Sequence, residues 1–226
     1  MNKKMHHLLT SLPLLQGVSA SDIAQILSNV KYSEHHIKAG MTFIRQDNIC
    51  QHLTFLIEGS MRCNTLSRDA KYTFSEYLEA TMVIEPDILY GIQRQHASTY
   101  TALSDCLFLT LPKNDVNRMM ADIEVFRFNY LNLLSTLAIR RREATMPIPN
   151  TNLRSRIIRF MANHATTPFG RKKFTIRMSD MGNYLDVSRV LVSNVVHELN
   201  DEGLIKMGRG TIEIPALEAL INNQAT

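Results

Sequence analysis

Two changes in the spacing of apolar residues divide this chain. In the opening stretch LLTSLPLLQGVSASDIAQILSNV, Leu14, Leu15 and Val18 precede a helix predicted to start at Ser21, with Ile23, Ile26 and Leu27 on one side. From Lys31 to Leu111 the pattern becomes short alternating runs between turn residues, in YSEHHIKAGMTFI, HLTFLIEGSMRCN, KYTFSEYLEATMV and STYTALSDCLFLTL. Repeated short strands at that spacing predict an antiparallel jelly-roll closing over a pocket. From Pro112 the helical period returns, with Val116, Met119, Met120, Ile123, Phe126, Tyr130, Leu133, Leu134, Leu137 and Ile139 along a stretch predicted to break near Asp122. That apolar face is wider than one domain needs and points to a dimer seam; a core helix packed on the roll is the plainer alternative. Met146-Pro147-Ile148-Pro149 ends the helix, because proline cannot continue it, and forms a hinge.

Beyond the hinge, Asn150 to Ala165 predicts a helix, stopped by the TTPFG run at 166–170, and Lys173 to Ile176 a short strand. Ser179 to Ile205 then reads as two short helices around a tight turn. Ser179 suits the N-cap of the first, Asp186 interrupts at the turn, and Ser188 caps a second helix whose Val192, Val195, Val196 and Leu199 form one apolar stripe. Opposite that stripe lie Arg189, Val190, Ser193, Asn194 and His197. A helix offered to phosphates and base edges needs donors, small contacts and no carboxylate near its tip, and this face supplies them. A helical hairpin inside an ordinary core would share the two-helix pattern. The continuation favours the first reading, because Leu204 to Met207 and Thr211 to Ile214 predict two strands around Gly208-Arg209-Gly210, a wing with Arg209 at its tip.

Composition sharpens this division. The chain carries 25 Lys+Arg against 21 Asp+Glu, net +4, and the basic excess lies in residues 140–226. Between Arg140 and Arg177 the basic residues face only Glu143. Beside a helix-turn-helix, Arg171, Lys172 and Lys173 are expected to contact phosphate. Cys50, Cys63 and Cys106 are odd in number and far apart, which argues against a disulfide framework or a metal clasp; buried thiols are expected, with no metal and no cofactor. No apolar run approaches the roughly 20 residues that span a bilayer, and no convincing cleavage site follows the N-terminus. A cytoplasmic protein without a membrane partner is expected. The absence of a Gly-rich phosphate loop, an H-E-x-x-H run or a nucleophile motif argues against an enzyme.

The run FTIRMSDMGNYLDVSRVLVSNVVHELNDEGLIKMGRGTIEI resembles the C-terminal winged helix-turn-helix of the cyclic-AMP receptor protein and fumarate–nitrate regulator (Crp/Fnr) superfamily of bacterial transcription factors. Val187-Ser188-Arg189, the hydrophobic spacing after it and Leu204-Ile205 carry the likeness. It implies that Arg189, Val190 and Asn194 fall on base-reading positions. Asp186 stands where the family has a turn glycine, a substitution the left-handed conformation tolerates, and Val190 where an acidic reader often follows the arginine. AGMTFIRQDNICQHLTFLIEGSMR is similar to the effector domain of the same superfamily, with Gly40 and Ile57-Glu58-Gly59 at turns.

In the family's cyclic-nucleotide binders a Gly-Glu pair holds the ribose and an Arg-Ser pair the cyclic phosphate. On that frame the positions are Glu85, Pro86, His96 and Ala97, and all four differ. A buried phosphodiester needs a fixed cation and donors, whereas the frame offers a carboxylate, no side-chain acceptor at Pro86 and a mostly neutral imidazole. Cyclic AMP is therefore not expected to bind. Arg94 could substitute only if the strand register slipped, so Glu85, Arg94 and His96 are the candidate effector-pocket residues. An iron–sulfur sensor would need four thiolates. Haem finds histidines in kind (His6, His7, His35, His36, His52), though paired surface histidines usually face solvent.

The expected fold class is α+β: an effector-type β-roll over 1–115, a dimerisation helix over 116–146 and a winged helix-turn-helix over 147–226. The resemblance implies a homodimeric, sequence-specific regulator of transcription that binds double-stranded DNA, has RNA polymerase as a partner, and answers to a small-molecule effector other than cyclic AMP, or to none. The alternative is a β-roll module for a protein or small molecule without specific DNA binding. The effector, the operator, the regulated genes and the sign of regulation stay open.

Overall fold

The computed structural model describes residues 12–19, 21–22, 30–145 and 152–223. Ile23, Ile26 and Leu27 of the first expected helix, His6 and His7, and the hinge prolines Pro147 and Pro149 lie outside the described residues. The chain divides into two units, 1–62 with 78–140 and 63–77 with 141–226. Helical residues 113–140 thus group with the roll, and residues 63–77 group with the C-terminal stretch 141–226.

The first unit holds β1 (Ser33–Ile37), β2 (Thr42–Ile44), β3 (His52–Glu58), the start of β4 (Ser60–Leu66), the end of β5 (Tyr72–Glu79), β6 (Met82–Ile84), β7 (Thr99–Ala102) and β8 (Cys106–Pro112). One antiparallel sheet runs β1-β8-β3-β6, and β2 pairs with β7. Strand period sends alternate residues to opposite faces. In the β3–β8 ladder, Leu53 sits across from Leu111 and Phe55 across from Leu109. That face joins a core of Leu12, Leu14, Val116, Met119, Phe126 and Tyr130, all buried. The other face carries Thr54 opposite Thr110 and Leu56 opposite Phe108, and Phe108 stacks on Phe43 with ring centroids 4.3 Å apart. Gly59 turns β3 into β4 at φ 95°, where an added Cβ would lie 2.5 Å from the Asp105 carbonyl oxygen.

Two helices follow, α1 (Lys113–Asp122) and α2 (Glu124–Thr145), separated at Ile123, where the break was expected. The apolar stripe read as a dimer seam is in part spent on the roll: Val116, Met119, Phe126 and Tyr130 are buried there, and Met120, Ile123, Leu133 and Leu134 pack against them. Ile139 of that stripe is exposed, as are Val125, Phe128 and Leu131 outside it.

The second unit contains α3 (Leu153–Asn163), β9 (Lys172–Ile176), α4 (Met178–Leu185), α5 (Arg189–Asp201), β10 (Lys206–Gly208), β11 (Thr211–Ile214) and α6 (Leu217–Asn222). Asn152 caps α3 by accepting from the Ser155 amide. The strand expected at 173–176 is present, and it pairs on one side with β11 and on the other with β5. Phe74 faces Phe174 and Glu76 faces Lys172 across that second ladder. The core gathers Ile157, Ile158, Met161, Phe174, Met181, Val192, Val196, Leu199, Ile212 and Leu217. All three cysteines are buried free thiols.

Candidate nucleic-acid interface and roll cavity

The turn between α4 and α5 is built by three residues. Asp186 takes the left-handed conformation at φ 52°, ψ 50°. Gly182 packs so closely beneath it that a Cβ would sit 2.7 Å from the Val187 carbonyl oxygen, and the Val187 amide donates to Gly182 O at 2.9 Å. Ser188 accepts from the Leu191 amide at 3.4 Å and so caps α5. The first helix differs from expectation at its start: Arg177, not Ser179, is the N-cap, and no side-chain hydrogen bond closes it.

On α5, Val192, Val196 and Leu199 are buried, with Val195 packed beside them. Ser188, Arg189, Val190, Asn194 and His197 are exposed and Ser193 partly so. No hydrogen bond or ion pair joins the side chain of Arg189, Asn194 or His197 to another described residue. Leu191, half exposed beside Val190, adds an apolar group to this face that periodicity did not single out. Its place before the first buried valine was the available signal.

The basic residues outside α5 divide. Arg209 is exposed at the wing tip between β10 and β11. Arg171 and Lys173 both pair with Glu213, at 3.2 and 3.4 Å, and the Arg171 guanidinium lies 4.7 Å from the centre of the Tyr77 ring. Lys172 corrects the expectation of a phosphate contact. Its side chain is fully buried, 3.1 Å from Glu76, and its ammonium donates to Thr167 Oγ1 and to the Phe169 carbonyl oxygen. Glu76 in turn accepts from the Thr166 amide and hydroxyl. Strand period explains this: Lys172, Phe174 and Ile176 share the inward face of β9, whose burial alternates. Near the pair, Tyr72 bonds to His164, whose imidazole burial holds below its ordinary pKa, against a bond to the Phe160 carbonyl oxygen. Tyr184 on α4 donates to Asp69.

In the roll, a cavity of about 230 Å³ is lined by Ser33, His35, Gln51, His52, Thr54, His96 and Thr110, with Phe43, Ile44 and Ile49. Of the three expected pocket residues, His96 lines it, Glu85 bonds to His96 without lining it, and Arg94 is exposed and outside the lining. His96 donates from Nδ1 to Glu85 Oε2 at 2.6 Å, and the Ala97 amide donates to Glu85 Oε1 at 3.1 Å. Burial opposes the charge on this imidazole, but bonds to Cys50 and Glu85 outweigh it and push its pKa up to about 9. The expectation of a mostly neutral imidazole is thereby overturned. Sequence could not show that the two altered positions answer each other. Among the described residues no cluster of His, Cys, Asp or Glu could hold a metal ion, and no helix is long and apolar enough to cross a membrane.

Comparison with known proteins finds two matching domain families. Residues 34–122 match the cyclic nucleotide-binding domain, and residues 155–222 the Crp-like helix-turn-helix domain. The chain is 23% identical over 143 residues to a transcriptional regulatory protein of Bordetella pertussis, an alignment covering 59% of either chain. It is 22% identical to electron transport regulator A of Shewanella oneidensis, over 84% of this chain and 77% of that one. The chain thus spans 59% and 77% of the length of these two relatives. A solved Crp/Fnr-family transcriptional regulator structure from Eubacterium rectale shares the fold at TM-score 0.50 and 21% identity, covering 95% of this chain and 98% of that one. With a roll of the nucleotide-binding type ahead of a helix-turn-helix whose second helix is capped and partly exposed, and a wing, the chain belongs to the Crp/Fnr family of DNA-binding transcriptional regulators.

Proposed function

We propose that the chain acts as a homodimer that reads a two-fold symmetric site in double-stranded DNA, laying one α5 from each copy into successive major grooves. The observation that carries this is the face of α5 from Ser188 to His197, which is largely exposed, holds one arginine and no carboxylate, and leaves the side chains of Arg189, Asn194 and His197 without a hydrogen bond or ion pair to another described residue. Arg189 leads, with Val190, Ser193, Asn194 and His197 behind it and Arg209 on the flanking phosphates. The exposed Val125, Phe128, Leu131 and Ile139 on α2 supply an apolar surface for the second copy. Arg171 and Lys173, at the start of β9, are weaker phosphate contacts, each already sharing Glu213. The setting is the cytoplasm, RNA polymerase is the partner of the bound dimer, cyclic AMP is not the effector, and no catalytic role is assigned.

Selection of bound sequences from random duplex DNA tests the symmetry: a two-fold motif is expected, and recovery of single half-sites only would refute the dimeric reading. On the selected site, Arg189→Ala should cost about 1–3 kcal/mol of specific binding. A titration that the substitution leaves unchanged removes Arg189 from the interface. Binding to random duplex should weaken steeply with salt, which a roll-only interaction module would not show.

A further inference from the structure

An ion pair at the wall of the roll cavity has the geometry of an anion receptor that is already filled. The His96 and Glu85 side chains are each only 10% exposed. The imidazole Nδ1–H reaches one carboxylate oxygen at 2.6 Å and the Ala97 N–H reaches the other at 3.1 Å. A cationic N–H and a backbone N–H converging on two oxygens of one group is how proteins hold small oxyanions. Here the oxyanion is part of the chain.

Two further observations set this pair apart from an ordinary buried salt bridge. Glu85 adopts φ 41°, a left-handed conformation that favours glycine, and in it returns its carboxylate to His96. The neighbouring Pro86 carbonyl oxygen accepts from the buried Tyr130 hydroxyl at 2.6 Å, so the same loop is fastened to α2. The cavity beside the pair has no carboxylate in its lining, and one of its other imidazoles, His35, is engaged with Thr110 at 3.0 Å. A second anion at the His96 and Ala97 donors would face the Glu85 carboxylate at close range.

We propose that Glu85 is a resident ligand: its carboxylate fills an oxyanion receptor made by His96 and the Ala97 amide, holds the Glu85–Pro86–Tyr130 connection in place without an external anion, and closes the site to phosphate and to small carboxylates. Glu85→Gly is the discriminating change, since it removes the carboxylate and suits the left-handed backbone. Thermal melting and calorimetric titration of the full chain are run with acetate, phosphate and chloride at matched ionic strength. The expected result is a wild type indifferent to all three, and a Glu85→Gly protein that melts lower and is restored saturably by acetate or phosphate but not by chloride, with phosphate bound at least about tenfold more tightly than by wild type. A folded Glu85→Gly protein that takes up neither oxyanion overturns the proposal, as does wild-type binding of equal strength. The imidazole nitrogen resonances of His96 in wild type give a reading independent of the variant's folding: they stay in place on adding phosphate if Glu85 holds the receptor, and a saturable shift refutes it. DNA is absent from every arm, so failure here is separable from failure of the DNA-reading assignment.

Discussion

Each unit of this protein holds a carboxylate against a cation largely away from solvent, Glu85 with His96 in the first and Glu76 with Lys172 in the second, and the two pairs are built alike. In each, a carboxylate accepts from a neighbouring backbone amide as well as from its cation: Ala97 for Glu85, Thr166 for Glu76. The surroundings differ. The Glu85–His96 pair borders a cavity of about 230 Å³, whereas Glu76 and Lys172 are 2% and 0% exposed inside the ladder between β5 and β9. A sealed pair can only be kept or broken. A pair on a cavity wall can also exchange its anion for another, and this separates a structural device from one that can take part in recognition.

The comparison makes its strongest prediction at the sealed site. Glu76→Ala strands a buried ammonium and should lower unfolding free energy by about 3–5 kcal/mol in chemical denaturation; a loss comparable to that of an exposed pair would remove the contrast. Glu85→Gly should cost less, because water or a solute anion can reach the His96 donors and the backbone is relieved, and denaturation in acetate should narrow the deficit further. Gly182→Ala must displace the Val187 carbonyl from beneath the α4–α5 turn and should cost about 1–3 kcal/mol, an effect on the second unit that leaves anion binding in the first untouched. Ser188→Ala removes the cap of α5 and should cost about 1 kcal/mol. A last effect is read against pH. Since the folded pKa of His96 stands near 9 against an ordinary 6.5, its stabilisation is complete below about pH 6.5 and is lost as pH rises through 9. Denaturation midpoints from pH 6 to 10 should show that decline in wild type and not in His96→Gln.

What the sequence revealed follows from how local each feature is. The α4–α5 turn was legible because its determinants are neighbours: Asp186 in the left-handed region, Ser188 at the cap, and three valines and a leucine at helical spacing. The β-strands were legible by alternation and the break at Ile123 by its flanks. Lys172 was misread because a basic residue inside a basic run carries no mark of its partner, and Glu76 lies in another strand far back along the chain. The two readings of the stripe along α1 and α2, dimer seam and core helix, could not be separated for a related reason, since periodicity shows how many apolar faces a helix has but not which neighbour covers each one. Glu85 and His96 were recognised as departures from a pattern. That one departure compensates the other is a matter of 2.6 Å, which no spacing rule conveys.

The assignment of residues 63–77 to the C-terminal unit bears on how the protein is made. During synthesis β5 leaves the ribosome well ahead of β9, and β9 ahead of β11, so the sheet of the DNA-reading unit stays open until Ile214 has emerged. A fragment beginning at Asn152 would carry β9 with a bare edge and an ammonium lacking its carboxylate. Translation halted short of the wing would leave the β9 edge that β11 pairs uncovered, a template for joining other chains and a mark by which quality control could recognise unfinished copies.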